Sequence, residues 1–202
     1  KRLGFFEGVC FHATNAEEAA GIKTAIAPTA TIQITPNLPK ALAAHPLPVS
    51  KCAGSLHCIC IARMHPIKNI HFLLEVLQQV PSTIELTLIG PAEDQAYWQQ
   101  CQQQIETLPD NIIVHYLGEQ PPEMLQAHLQ AAHLFVLPTQ GENFGHAIFE
   151  AFAVGRPVLI SDQTPWQQLT EQRAGWALPL QQPQAFVQAL ERMAQMDQQE
   201  YE

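Results

Sequence analysis

Few side chains in this sequence can do charge chemistry, and several of those that can stand in short turns after apolar runs. Arg63 and Lys68 follow the apolar run 56–62 within one such turn. A guanidinium can give two parallel hydrogen bonds to diphosphate oxygens, and an ammonium adds a mobile point charge. Lys and Arg together number 10 in 202 residues, so two in one turn is informative. The plainer alternative is a solvated loop pair, which is what most Arg and Lys are. The second group is Gly141-Glu142-Asn143-Phe144-Gly145-His146-Ala147. A helix starting near Gly145 would leave the amides of Gly145, His146 and Ala147 free to hold phosphate or sugar oxygens. Gly145 would let a ligand approach the backbone closely. Glu142 precedes that helix, and Glu150 stands within it among Ile148, Phe149, Ala151 and Phe152. A carboxylate in so apolar a stretch needs partners. Those could be internal backbone bonds for Glu150, with Glu142 serving only as an N-terminal helix charge.

The elements that would position these groups alternate regularly. Apolar runs at 56–62, 84–89, 111–117, 134–137 and 157–161, with a shorter one near 176–180, read as strands. Between and after them, helices are predicted at about 70–81, 93–108, 121–132, 145–154, 166–171 and 183–196. Strands this apolar belong to a parallel sheet covered on both faces, so the fold class is a doubly wound, Rossmann-like α/β domain. In such sheets ligands bind beyond the carboxyl ends of the strands. The turns there carry Arg63 with Lys68, then Gly90, Gly118, the Gly141–Gly145 segment and Asp162, which suggests an anionic ligand. The first residues follow a different pattern. A strand at 9–14, a helix at 15–27 capped by Asn15 with Glu18 three residues on, and a strand at 31–35 are predicted. The resulting division is 1–35 as the trailing segment of a preceding N-terminal domain, 36–55 as linker and 56–202 as the Rossmann-like domain.

Composition narrows the classes. Hydrophobic residues at 47% with 14% charged exclude an intrinsically disordered chain. A net charge of −9 argues against a nucleic-acid binder with a broad basic face. No apolar run reaches the ~18 residues of a membrane-spanning helix. The chain opens Lys1-Arg2-Leu3 without an initiator Met, which suggests the back part of a longer protein. Cys58-x-Cys60 lacks the second half of a zinc pattern, so the five cysteines read as reduced, buried thiols of a cytoplasmic protein. His57, His65 and His146 read as packing or backbone contributors, Trp166 and Trp176 as core or rim aromatics, and Arg156 as an exposed turn residue. A Rossmann dehydrogenase is disfavoured, because no Gly-x-Gly-x-x-Gly follows the first strand of the alternating series.

The run Gly141-Glu142-Asn143-Phe144-Gly145 with Glu150 eight residues after Glu142, continuing through Gly155-Arg156-Pro157-Val158, resembles the signature of family 4 retaining glycosyltransferases of the GT-B fold. Arg63 through Lys68 resembles that family's phosphate clamp, Pro36-Asn37 its Pro-Asn pair, and Pro138-Thr139 stands where many members have Pro-Ser. The resemblance runs from about Pro36 to Arg192. It implies the C-terminal, donor-binding half of a GT-B enzyme of polysaccharide biosynthesis. Arg63 and Lys68 would grip the diphosphate of a nucleotide-sugar donor, Glu150 the ribose hydroxyls, and Glu142 the donor sugar as the catalytic carboxylate. The backbone of Phe144, Gly145, His146 and Ala147 would hold sugar and phosphate, and that of Leu117 and Gly118 would line the base. No metal and no further cofactor are implied. The acceptor, a sugar, lipid-linked or small molecule, would be supplied with the missing N-terminal domain, and location would be cytoplasmic, with attachment to the inner membrane face left open. Departures are Leu38-Pro39 after the Pro-Asn pair and Asp162-Gln163-Thr164-Pro165-Trp166 where Gly-Gly is frequent; a Pro-Trp there resembles one subgroup. The rival readings are a non-catalytic nucleotide-binding scaffold and a nucleotide-sugar epimerase of related fold.

Overall fold

The computed structural model describes residue 6, residues 8–35 and residues 47–202, and the chain divides into two compact units, 1–41 and 42–202. Pro36-Asn37 and Leu38-Pro39 lie outside the described residues. The first unit is a parallel pair, β1 (Cys10–Ala13) and β2 (Thr31–Ile34), joined by helix α1 (Ala16–Ala25). Asn15 caps α1 by accepting the Glu18 N–H at 2.8 Å, while the Glu18 carboxylate accepts from the Thr14 backbone and hydroxyl.

The second unit carries the alternating pattern: β3 (Ser55–Ile61), α2 (Ile70–Leu77), β4 (Thr83–Ile89), α3 (Gln95–Ile105), β5 (Ile112–Tyr116), α4 (Pro122–Ala131), β6 (Leu134–Leu137), α5 (His146–Ala153), β7 (Val158–Ser161), β8 (Gly175–Leu178), α6 (Pro183–Gln195) and α7 (Gln198–Tyr201). The six strands pair in parallel in the order β5-β4-β3-β6-β7-β8. The chain winds from β3 outward to β5, then returns to place β6 on the other side of β3. That reversal opens a crevice beyond the carboxyl ends of β3 and β6. The central strands carry apolar side chains to both faces: Cys58, Ile59 and Cys60 of β3 and all four residues of β6 are buried. Leu73 and Leu74 of α2, Ile148 of α5 and Phe186 of α6 belong to the same core.

Three readings of the sequence are corrected. The helix at 166–171 is absent; residues 163–174 form bends and turns, with Gln168 and Arg173 at φ 59° and 55°. The Trp166 N–H is taken by the Thr164 hydroxyl, and the Gln167 side-chain amide bonds the Asp162 and Thr164 carbonyls. Such local bonds compete with a helical turn for the same backbone. Among the cysteines, Cys58, Cys60 and Cys101 are buried but Cys10 and Cys52 are exposed. Burial pushes the Cys60 thiol up to about 12 and raises those of Cys58 and Cys101 as well. Arg156 is not an exposed turn residue: it is 4% exposed and donates to the carbonyls of Leu129, Gln130 and Leu47.

Arg156 therefore closes the end of α4 and holds the strand-entry segment against it. Replacing Arg156 with Met removes the guanidinium donor from those carbonyls and should lower unfolding free energy by about 2–4 kcal/mol. Urea denaturation measures this, and the exposed Arg192→Ala variant should stay within about 0.5 kcal/mol of the parent.

Candidate functional site

The turn after β3 and the turn after β6 are tied together at one atom. Pro66–Lys68 form a single 3-10 turn capped by His65, and buried Asn69, at φ 60°, hands the chain to α2. The Ile67 carbonyl within that turn accepts the Gln140 N–H at 2.7 Å and lies 3.0 Å from the hydroxyl of fully buried Thr139. This tie carries Lys68 to Glu142, and their charged ends form an ion pair with side chains 13% and 14% exposed.

Arg63 turns the other way. One guanidinium nitrogen lies 2.7 and 2.5 Å from the two oxygens of Glu93, in the loop after β4, and this pair is open to solvent. Its loops are framed by backbone bonds: Met64 N–H to the Pro91 carbonyl, and Asp94 N–H to the Met64 carbonyl. Gly90 makes this approach possible. It sits at φ +140°, and a Cβ there would stand 2.0 Å from the Ala62 carbonyl oxygen. Gly90 also donates to the Gly118 carbonyl, which fixes the end of β5, while Leu117 above it is exposed. The end of β5 lies two strands from β3, and Leu117 and Gly118 sit on that flank of the crevice.

Across the crevice, α5 begins without a side-chain cap at Gly145, φ +78°. The N–H groups of Phe144, Gly145, His146 and Ala147 find no acceptor among the described residues. They form a cluster of donors at the positive end of a helix dipole. The loop that carries them is held from behind by the loop after β7. The Ser161 hydroxyl donates to the Thr139 carbonyl, Glu142 N–H to the Gln163 carbonyl and the Trp166 indole N–H to the Phe144 carbonyl.

Glu150 is half-buried on α5, and its carboxylate makes no hydrogen bond or ion pair among the described residues. It does not accept internal backbone bonds. Burial pushes its carboxyl above the usual range, with His146 drawing it partly back. The structure thus brings Lys68, Glu142 and the α5 terminus together at the switch point, and sets Arg63 against a partner that the sequence did not single out. Glu93, Ser161 and the lacing role of Thr139 were missed; for Ser161 an apolar strand ending in a hydroxyl residue was the available signal. Among the described residues no group of three or more His, Cys, Asp or Glu could hold a metal ion. A cavity of about 710 Å³, lined by Phe152, Arg156, Arg173, Trp176, Arg192 and Tyr201 among others, lies where β7 and β8 begin, at the end of the sheet away from these donors.

Residues 55–196 match the family of glycosyl transferases group 1, and the chain belongs to it. The putative colanic acid biosynthesis glycosyltransferase WcaL of Escherichia coli is 29% identical over 164 residues, covering 75% of this chain and 39% of that protein. Sucrose-phosphate synthase from Thermosynechococcus elongatus superposes with a TM-score of 0.72 at 23% identity, over 91% of this chain and 48% of that one. A TarM variant from S. aureus, solved with fondaparinux, alpha-GlcNAc-glycerol and UDP, gives a TM-score of 0.68 at 17% identity, over 94% and 38%. The chain thus spans about two fifths to one half of the length of these proteins. The doubly wound α/β class expected from the strand pattern is the fold observed, and it is that of GT-B glycosyltransferases.

The half-buried Glu150 makes stability depend on pH in a definite direction. Its folded pKa is raised, so between the unfolded and folded values the native state binds more protons and stability falls as pH rises. Glu150→Gln should therefore raise the urea midpoint at about pH 7.5 and lose that advantage near pH 3.5, where both forms are neutral. An equal gain at both pH values would show that ionisation is not the cause.

Proposed function

We propose that this chain is the donor-binding, C-terminal half of a retaining glycosyltransferase of family 4, transferring a hexose-type sugar from a nucleotide diphosphate. The observation that carries the reading is the convergence, at the sheet's switch point, of the Lys68–Glu142 pair with α5 amides that find no acceptor among the described residues, in a member of this family. Residues 56–202 would form the donor domain, 36–55 the linker and 1–35 the trailing segment of an acceptor-binding domain. The acceptor is a sugar, lipid-linked or small molecule held by that other domain, and the chain alone binds donor without transferring it. The reading places the enzyme in the cytoplasm, with peripheral attachment at the inner membrane face as the route to a lipid-linked acceptor.

Each group then has a task suited to its chemistry. The diphosphate draws Arg63 from Glu93 and Lys68 from Glu142, since two phosphate oxygens offer better partners than one carboxylate. The amides of Phe144, Gly145, His146 and Ala147 receive phosphate and sugar oxygens. Glu150 accepts two ribose hydroxyls, the donors its half-buried carboxylate lacks. Glu142, released from Lys68, meets the donor-sugar hydroxyls beside the reacting carbon. Leu117 and Gly118 line the base through their backbone. The acceptor attacks from the face that the diphosphate leaves, and the departing phosphate takes the acceptor's proton. Charge stabilisation falls to Arg63, Lys68 and the helix terminus, a preorganised electrostatic role that needs no metal. A covalent route would need two carboxyls about 5 Å apart. Glu142 is committed to Lys68 and then to sugar hydroxyls, and Glu150 to the ribose.

Calorimetry of the chain with UDP, GDP and ADP should show saturable binding of one of them, lost in Arg63→Ala and in Glu150→Ala. Binding untouched by both substitutions would misplace the site. In the full-length enzyme, Glu142→Gln should cut transfer by about 10²-fold while donor affinity changes little. Equal losses in transfer and affinity would remove Glu142 from the catalytic role.

A further inference from the structure

We infer that the Trp166 indole N–H is a positioning group that aims the α5 amides at the donor's phosphates. The inference rests on the functional reading above and adds a residue to it. α5 has no side-chain cap of its own, so the orientation of its first peptide planes is set from outside the helix. Trp166 supplies that control: its Nε1 donates to the carbonyl of Phe144, the residue before the Gly145 cap. In a trans peptide the carbonyl and the following N–H point in opposite directions across one rigid plane. Fixing the Phe144 oxygen toward Trp166 therefore fixes the Gly145 N–H away from it, on the side where no protein acceptor is found among the described residues.

The plane has little freedom to rotate. Gly145 packs so closely that a Cβ would stand 2.7 Å from Ile148 Cδ1 and 3.4 Å from Trp166 Nε1. The indole is itself seated among Phe144, Phe149 and Phe152, with ring centroids 5.5, 6.3 and 5.4 Å away. Its backbone is held by the Thr164 hydroxyl, and Gln167 closes the same loop on the Thr164 carbonyl. The non-helical course of residues 163–174 thus has a purpose: it carries the indole to the peptide that starts α5. Without the indole bond the Phe144 carbonyl would lose a partly buried donor, and the peptide could turn to seek another.

The test separates aiming from packing. Trp166→Phe keeps an aromatic ring and removes the N–H; if that variant does not fold, 3-benzothienylalanine at position 166 keeps the full indole shape with sulfur in place of N–H. Calorimetry with the nucleoside diphosphate bound by the parent chain, and ligand-observed NMR with the matching nucleoside, give the two readouts. The expected result is about tenfold weaker diphosphate binding with nucleoside binding unchanged, about 1.4 kcal/mol confined to the phosphates. Inorganic pyrophosphate should lose affinity in parallel. Unchanged diphosphate affinity, or equal losses for nucleoside and diphosphate, would reduce Trp166 to a packing residue and leave the functional reading standing. A parent chain that binds none of UDP, GDP and ADP would overturn the functional reading and this inference together.

Discussion

The carbonyl of Ile67 is where two oppositely wound halves of the sheet become one surface. β3 and β6 are neighbours in space but far apart in sequence, and the loops leaving them could diverge freely. The Gln140 N–H and the Thr139 hydroxyl both converge on that one oxygen, so the loop after β6 cannot move without the turn that carries Lys68. Thr139 is fully buried, which makes its hydroxyl costly to leave unpaired. The same buried residue receives the Ser161 hydroxyl on its carbonyl, which brings the loop after β7 into the frame. Three turns from three strands are thereby held as a unit, and the open end of the sheet gains a defined wall.

On that wall the carboxylates differ in environment. Glu93 faces Arg63 in solvent, a pairing of the kind that contributes at most about 1 kcal/mol and is screened by salt. Glu142 is held against Lys68 with both side chains mostly covered, so removing either partner would strand the other's charge. Glu150 has no hydrogen-bond or ion-pair partner among the described residues, and burial pushes it toward its neutral form. In a chain of net charge −9, an anion that reaches either cation of this crevice must displace the carboxylate already on it. The donor of the proposed function would satisfy all three conditions at once, its phosphates replacing Glu93 and Glu142 on their cations and its ribose supplying hydroxyl donors to Glu150. A simple anion would meet the first two and leave Glu150 unpaired.

Much of this was legible in the sequence, because the signals involved are local. The apolar runs that end at Ile61, Ile89 and Leu137 mark buried parallel strands, and the turns beyond them had to share one end of the sheet. What the sequence could not show depends on contacts between distant segments. Arg63 and Lys68 share a turn, yet one reaches Glu93 and the other Glu142, and spacing along the chain does not encode that divergence. Gly155-Arg156-Pro157 has the composition of an exposed turn; its guanidinium is buried because α4 ends beside it and presents the Leu129 and Gln130 carbonyls. The segment 166–171 has helix-compatible residues, but the Thr164 hydroxyl takes the Trp166 N–H and Gln168 stands at φ 59°, outside helical backbone. Glycine carried the opposite lesson: Gly90 and Gly145 stood out by type, and the close approach of Ala62 to one and Ile148 to the other explains why.

The two kinds of donor at this site have different reorganisation costs. The α5 amides are set by backbone planes that are locked by Trp166, Gly145 and the Ile67 tie, and they are aimed before any ligand arrives. Lys68 and Arg63 are mobile side chains held by carboxylates that must be displaced. A preset dipole stabilises developing charge without rearrangement, whereas an ion-paired cation contributes only the difference between its old and new partners. The backbone cluster is therefore the better candidate for the specific, geometry-dependent part of phosphate recognition, and the two cations for its long-range and salt-sensitive part. On this division, the residues that matter most for shape are not the charged ones. They are Thr139, Ser161 and Trp166, whose hydroxyl and indole groups donate to the backbone carbonyls that hold these loops.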